Sequence, residues 1–564
     1  MELFFRGSSL KWVLCLWALF YTTSLAFIPF PKLSGARSPP GLVEPSAELG
    51  PKQVAVIGAG AAGASAAYSL RKYADSLGIP VNITVLERAS YVGGRSTTVN
   101  VFDDPTYPIE LGASIFVEIN YNLVNASKEL GLSVRGASHE RPKESTENLG
   151  VWDGESFVFV MEDSGSWWTI AKLLWRYGLA PIRTYNLMKS TVNKFLQLYK
   201  EPVFPFESLT AAAASVGLLD ATSTPGAQFL EKNNVSPEFS REVIQASTRV
   251  NYGQNLPLIH GLESMVCMAT EGAVSVEGGN WRIFDGMLKY AQADVRLNHT
   301  VTSVERNRDN TKTVKFKDEH SEQSADFDEV IIAGPYQHSG ITISPPVEHT
   351  PDTIPFHILY VTLFSSPHRL SWKYFNLKGP SDIPPETILT TLPLGTDLGN
   401  AEKGVGPAGF WSISTLRTVN TTSTSPGEPG QQHYVYKIFS PERLTTEFLG
   451  DILGLEHSDK ASASSSNEDI SHLPKEDISW YHEKIWHPYP FLYPRVTFED
   501  PLLAPGIWYT GGIESFISTM ETSALMGKNV AALISQSWLD QDEDGEIRGL
   551  DDSPVVEGNE RVDL

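Results

Sequence analysis

One run, Val54-Ala-Val-Ile-Gly58-Ala-Gly60-Ala-Ala-Gly63, limits the possible folds more than any other part of the chain. An apolar strand ends in three spaced glycines, and a small-residue helix follows through Leu70. Gly58 makes the tight turn, Gly60 lets backbone approach a pyrophosphate, and Gly63 lets the helix pack closely on the strand. The helix N-terminus then offers its unpaired N–H groups to phosphate. The next strand, Ile83 to Leu86, is closed by Glu87, a carboxylate placed to accept from ribose hydroxyls and to repel a 2′-phosphate. Together these residues predict a βαβ dinucleotide-binding unit.

That unit accounts for a small part of 564 residues, so at least one further domain is expected. Strand signals at Val301 to Arg306, Thr313 to Phe316 and Val330 to Ala333 predict an α/β core with the first two strands. Helical patterns begin at Ala61, Leu123, Trp167, Thr184, Ile283 and Thr519, the longest of them between residues 130 and 270. The scheme is a Rossmann-like domain from residues 53–130, 270–340 and 500–539, with a mixed α+β substrate domain inserted as 131–269 and 341–499. A net charge of −23, with no basic tract to offset it, excludes nucleic acid as a partner.

The first 26 residues read as a signal peptide, with Arg6 and Lys11, an apolar run from Trp12 to Tyr21, and Ser24-Leu25-Ala26 before the cut. A linker, 27–52, follows. An acidic disordered tail is expected at 540–564, where ten acids stand against Arg548 and Arg561. Of five sequons, Asn125, Asn298 and Asn420 are the favoured glycan acceptors over Asn82 and Asn234. The expected address is the secretory pathway, ending in a lysosome or vacuole lumen or in secretion. Cys15 leaves with the signal, and Cys267 is read as a small buried residue.

Further motifs choose among dinucleotides. Val92-Gly93-Gly94-Arg95 follows Glu87, and its paired glycines permit close backbone approach beside a guanidinium that can neutralise phosphate. Glu277-Gly-Gly-Asn280 precedes a helix and the strand at Val301. Trp508-Tyr-Thr-Gly-Gly512-Ile-Glu514 leads into a helix at Thr519 and Met520. With Val250 to Asn255, Ile438 to Ser440 and Gly512 to Ser515, this order from Gln53 to Leu539 resembles the prenylcysteine oxidase (prenylcysteine lyase) family, within the amine-oxidase and phytoene-desaturase superfamily.

The resemblance implies FAD, held by Gly58, Gly60, Gly63, Glu87, Gly93, Gly94, Arg95, Val301, Gly512, Glu514 and Met520. It implies oxygen-dependent cleavage of farnesyl- or geranylgeranyl-cysteine to cysteine, an isoprenoid aldehyde and hydrogen peroxide. Such chemistry needs no nucleophilic triad and no metal, and the sequence carries neither a G-x-S-x-G elbow nor an H-E-x-x-H pair. Arg249, Asn251, Tyr252 and Gln254 are candidates to grip the cysteine end, or else a hydrogen-bonded turn supporting the cap. Residues 166–200 contain no acid but six Lys or Arg among three Trp, which suggests peripheral membrane contact or amphipathic packing helices. Two other functions fit the same motifs: an FAD oxidase of another apolar amine or isoprenoid, and a non-catalytic prenyl-binding module.

Overall fold

A computed structural model describes residues 50–136, 148–161, 167–396, 399, 401, 404–420, 430–455, 470 and 473–551. The signal peptide and nearly all of the linker lie outside them, although the first strand already begins at Lys52.

The glycine motif folds as its spacing predicts. Strand β1 (Lys52–Ile57) runs through the turn into α1 (Ala61–Leu77), and β2 (Val81–Leu86) lies parallel to β1 with Val54 opposite Ile83. Gly58 has φ +109°, and a Cβ on Gly63 would collide with the Gly58 carbonyl. The sheet continues on both sides in the order Leu502–Ala504, Ile507–Tyr509, Glu329–Ile332, β1, β2, Asp294–Arg296. All neighbours are parallel except the first pair. Distant stretches of chain are therefore held together at the strand ends that flank Gly58.

Alanine and glycine let two helices meet closely above this sheet. Ala62 to Ala67 of α1 are buried against the C-terminal helix, Met520–Asp551, where Ser65 Oγ donates to Ala524 O at 2.7 Å. A side chain on Gly527 would strike the Ala62 backbone. The C-terminal helix corrects the expected tail boundary, because residues 540–551 continue it. Residues 552–564 lie outside the description. The boundary at 340 shifts as well, since Thr342–Ser344 pairs in parallel with Thr300–Arg306 in a small sheet of the nucleotide layer.

The second layer is a seven-stranded sheet assembled from β3 (Leu149–Trp152), β4 (Phe157–Met161), β5 (Leu359–Ser366), β6 (Thr387–Thr390), β7 (Ser412–Asn420), β8 (Gln432–Ser440) and β9 (Trp480–Trp486). Their spatial order is β9-β5-β8-β7-β6-β3-β4. Alternate residues serve opposite faces. Trp152, Phe364, Ile388, Ile413, Tyr436 and Ile438 fill one core, and the other face looks toward the nucleotide layer. Helices α2 (Trp167–Tyr177) and α3 (Ala180–Phe195) bury Leu173, Tyr177, Met188 and Val192 in a separate helical core.

Burial does not separate the three favoured sequons from the other two. Asn82, Asn234, Asn298 and Asn420 are exposed, whereas Asn125 is half-buried in the helix Tyr121–Glu129 and its Ser127 is inaccessible.

Replacing Gly527 with valine is expected to cost about 1–3 kcal/mol of stability through overpacking between α1 and the C-terminal helix. Denaturant titration measures this, and an unchanged midpoint would mean that the helices are not in close contact.

Candidate active site

Two glycine turns form one lip. Gly93 donates its N–H to Ala59 O at 2.9 Å, and a Cβ on Gly94, were there one, would stand 3.3 Å from Gly60 Cα. Gly93 has φ +116°, so the contact depends on residues without side chains. Below this lip opens a cavity of about 1150 Å³, lined at one end by Gly58, Gly60, Ala61, Glu87 and Val301. Its size exceeds the roughly 300–1,000 Å³ usual for one small ligand. There is room for a dinucleotide and a second molecule.

The residues fit FAD. Glu87 is buried and accepts N–H groups from Ala59 and Ala89 at 2.8 Å each, which fixes the carboxylate and leaves lone pairs for ribose hydroxyls. The N-terminal turn of α1 lines the phosphate region through Ala61 and Ala62. Farther along the same cavity, Ser518, Thr519, Met520 and Ser523 bring in the start of the C-terminal helix. A second positive helix end favours an electron-rich ring system there. Gly63 lies outside the lining and acts in helix-on-strand packing.

Two expected contacts are different in the structure. Arg95 does not present a free guanidinium to phosphate, because it forms a two-pronged pair with Glu514, at 2.8 and 2.6 Å, and donates to Pro488 O. Glu514 is buried and accepts one guanidinium N–H on each oxygen, so the two present a neutralised unit to the cavity in which the carboxylate keeps lone pairs for a ribityl hydroxyl. Gly512 is buried against the Glu499 backbone and does not line the cavity.

The proposed substrate grip also divides. Asn251 and Tyr252 line the cavity. Tyr252 packs edge-on to Tyr489 and donates to Ser518 O at 3.0 Å. Arg249 is fully buried away from the cavity. It holds Thr390 Oγ1, Asn255 Oδ1 and the carbonyls of Gly404 and Val405, and stacks 4.7 Å from the Trp411 ring centroid. Gln254 clamps Pro490 O and Leu492 N. These two side chains support the cap and have no free group to offer a substrate.

Sequence reasoning missed the floor. One face of the seven-stranded sheet supplies Leu359, Ser412, Ser414, Lys437, Phe439 and Trp486 to the cavity, and Thr387, Leu389, Leu149, Val151 and Phe159 continue the same wall. The side chains alternate along the strands, as a half-lined sheet requires. Lys437 is a buried-edge cation whose ammonium donates to Glu110 O and Ser114 Oγ at 3.1 and 3.2 Å. Burial pulls it down to about 8, against the Glu110 charge that raises it. Asn280 steadies that junction by donating its N–H to Glu110 Oε1 and its amide to Ala113 O. The alternation of Leu149 and Val151, or Lys437 and Phe439, was a readable signal for these strands.

A dinucleotide cradle opening directly onto a mostly apolar chamber defines a flavin-dependent oxidoreductase. Solved structures share the architecture: putrescine oxidase bound to putrescine (16% identity, TM-score 0.51, covering 86% of this chain and 98% of that one) and cyclohexylamine oxidase from Brevibacterium oxydans (16%, 0.51, 87% and 100%). At that identity they speak to fold alone. A family model described as prenylcysteine lyase matches residues 160–546, and one for an NAD(P)-binding Rossmann-like domain matches 56–127. Farnesylcysteine lyase from Arabidopsis thaliana is 28% identical over 515 residues, covering 87% of this chain and 89% of that protein. Prenylcysteine oxidase 1 from Homo sapiens is 28% identical over 516 residues, covering 86% and 90%. The chain belongs to the prenylcysteine lyase family.

Buried ionisable groups around the cavity set a pH window. Burial raises Glu263 to about 8 and Glu521 to about 7, from 4.5. Their stabilisation is complete below 4.5 and is lost as pH climbs through those values. Burial lowers His260 to about 3 and His357 to about 4, from 6.5, so their contribution is complete above 6.5 and lost as pH falls. The two effects oppose each other between 4.5 and 6.5, and above 6.5 the carboxyls act alone. The melting temperature is therefore expected to be nearly flat from about pH 5 to 6.5 and to fall toward about pH 8, less steeply in Glu263→Gln. A melting temperature rising across the upper interval would contradict this assignment.

Proposed function

We propose that the protein is an FAD-dependent oxidase of prenylcysteine thioethers. The carrying observation is the single cavity in which the nucleotide cradle meets the floor sheet, its lining turning apolar toward Leu389, Leu149, Val151 and Phe159. The overall reaction consumes prenylcysteine, dioxygen and water and yields cysteine, an isoprenoid aldehyde and hydrogen peroxide. When bound, FAD supplies a two-electron acceptor that dioxygen can restore. The relatives named farnesylcysteine lyase and prenylcysteine oxidase support the substrate class. Gly58, Gly60, Glu87, Gly93 and Gly94 would hold the cofactor, and Met520 lines the same cavity at the start of the C-terminal helix. Tyr252 and Tyr489 supply aromatic wall, and Arg95 and the buried Glu514 neutralise each other at the cavity edge. Excluding water and fixing the allylic carbon are the chief tasks left to the protein.

We also infer that α2 and α3 rest on a lipid surface from which the isoprenoid enters. Trp175 on α2 is 93% exposed, Leu179 is exposed in the connection between the two helices and Ile182 is exposed on α3, with Lys172 and Arg183 also exposed in the same stretch. Tyr177, on the inward side of α2, packs against Phe159 at the apolar end of the cavity. Arg176 is less available to lipid, since it pairs with Glu242 at 2.8 Å. Among the described residues no helix is long and apolar enough to cross a membrane, so the contact is peripheral.

Two assays test these readings. Aerobic incubation of the purified protein with farnesylcysteine is expected to release free thiol and peroxide in equal amounts, and peroxide without thiol would reject thioether cleavage. In flotation, vesicles containing anionic lipid are expected to carry the wild type and to lose Trp175→Ser/Leu179→Ser. Equal recovery of both proteins would remove the lipid-facing role.

A further inference from the structure

The floor sheet is polarised. Lys437 stands on β8, and on the strands beyond it the lining changes from Ser412 and Ser414 to Leu389, Val151 and Phe159. Four strand steps separate β8 from β4, about 19 Å across the sheet at the usual strand spacing. A molecule with one anionic end and one long apolar end can lie across these strands in only one direction.

The charges around the cavity narrow the choice of anion site. Arg95 is neutralised by Glu514. Arg88 donates to His338 O beside Glu87, at the ribose end. Lys484 lies on β9, the outermost strand, two steps farther from the apolar end than Lys437. Lys437 reaches from the floor to the segment Glu110 to Ser114, so it sits where the chamber meets the nucleotide layer. Its two hydrogen bonds go to uncharged oxygens, the Glu110 carboxylate acts on it through space, and an ammonium has three donors, so one remains for a ligand.

We propose that Lys437 binds the α-carboxylate of the cysteine moiety and so sets the direction in which the thioether lies. This rests on the reading of the protein as a prenylcysteine oxidase and adds the residue that recognises the amino-acid end. Only Cα and Cβ separate that carboxylate from the sulfur, so anchoring one places the other beside the Glu110 to Ser114 segment. The isoprenoid then runs over β7, β6 and β3 toward Phe159.

The test compares S-farnesylcysteine with S-farnesylcysteamine, which lacks the carboxylate, on the flavin-loaded full chain. The wild type is expected to favour the acid by roughly tenfold to a hundredfold in KM, the range of a charge-assisted hydrogen bond. Lys437→Met is expected to abolish this preference, Lys437→Arg to keep most of it, and Lys484→Met to retain it. Binding of the unreactive pair S-dodecylcysteine and S-dodecylcysteamine, followed by tryptophan fluorescence, reads the same preference without turnover. Lys437→Gln replaces the methionine variant if that one does not fold. An undiminished preference in Lys437→Met, equal losses on both ligands, or loss of preference in Lys484→Met would each overturn the proposal. If the wild type releases thiol from neither farnesyl compound, the thioether oxidase reading fails, and the dodecyl pair still decides whether Lys437 selects a carboxylate.

Discussion

Contact between two glycine turns carries much of this structure. The bond from Gly93 N–H to Ala59 O and the approach of Gly94 to Gly60 join residues that are about a βαβ unit apart in sequence. Side chains at these positions would separate the turns and fill the cradle. Because the lip is backbone, its N–H groups and helix end can face a diphosphate without the entropy loss of ordering long cationic side chains. This explains how Arg95 can be committed to Glu514. The phosphate region relies on dipoles, and the guanidinium is free to neutralise a buried acid where segments from opposite ends of the chain meet.

The second layer gives the cradle something to act on. A sheet with one face packed into its own core leaves the other face available, and here that face becomes a chamber floor. Buried polar side chains hold the cap in register with it. Arg249 ties α-helical residues 245–252 to the strands and loop at Thr390 and Val405, and Gln254 ties the same region to the loop at Pro490. Their burial makes them costly to remove and explains why polar residues clustered next to Tyr252 need not touch a ligand.

How much was legible in the sequence follows from which residues carry local signals. Glycine spacing reports backbone geometry directly, so β1, α1 and the turn at Gly93 were readable from the chain itself. Floor residues sit on short strands scattered from Leu149 to Trp486, and only their pairing reveals a common face. Lys437 was unreadable as a site for that reason, although it alternates with Phe439 on one strand. Arg95 reads in sequence as facing phosphate, and Arg249 as either a substrate grip or part of a turn supporting the cap, because a polar residue near a motif has the same appearance in sequence whether it faces a ligand or another side chain. The acidic run after Asp540 reads as a tail because its charge pattern and its Asp and Gly content give little local helix signal, whereas the helix begun at Met520 extends through it.

The central claim is that a flavin and an isoprenoid thioether share one chamber. Anaerobic titration of the purified yellow protein with farnesylcysteine tests it most directly, because cofactor and substrate then have only each other as redox partners. The account predicts bleaching of the flavin band, complete at one equivalent of substrate per bound cofactor. A protein that takes up no flavin, or a band that persists under excess substrate, would contradict it.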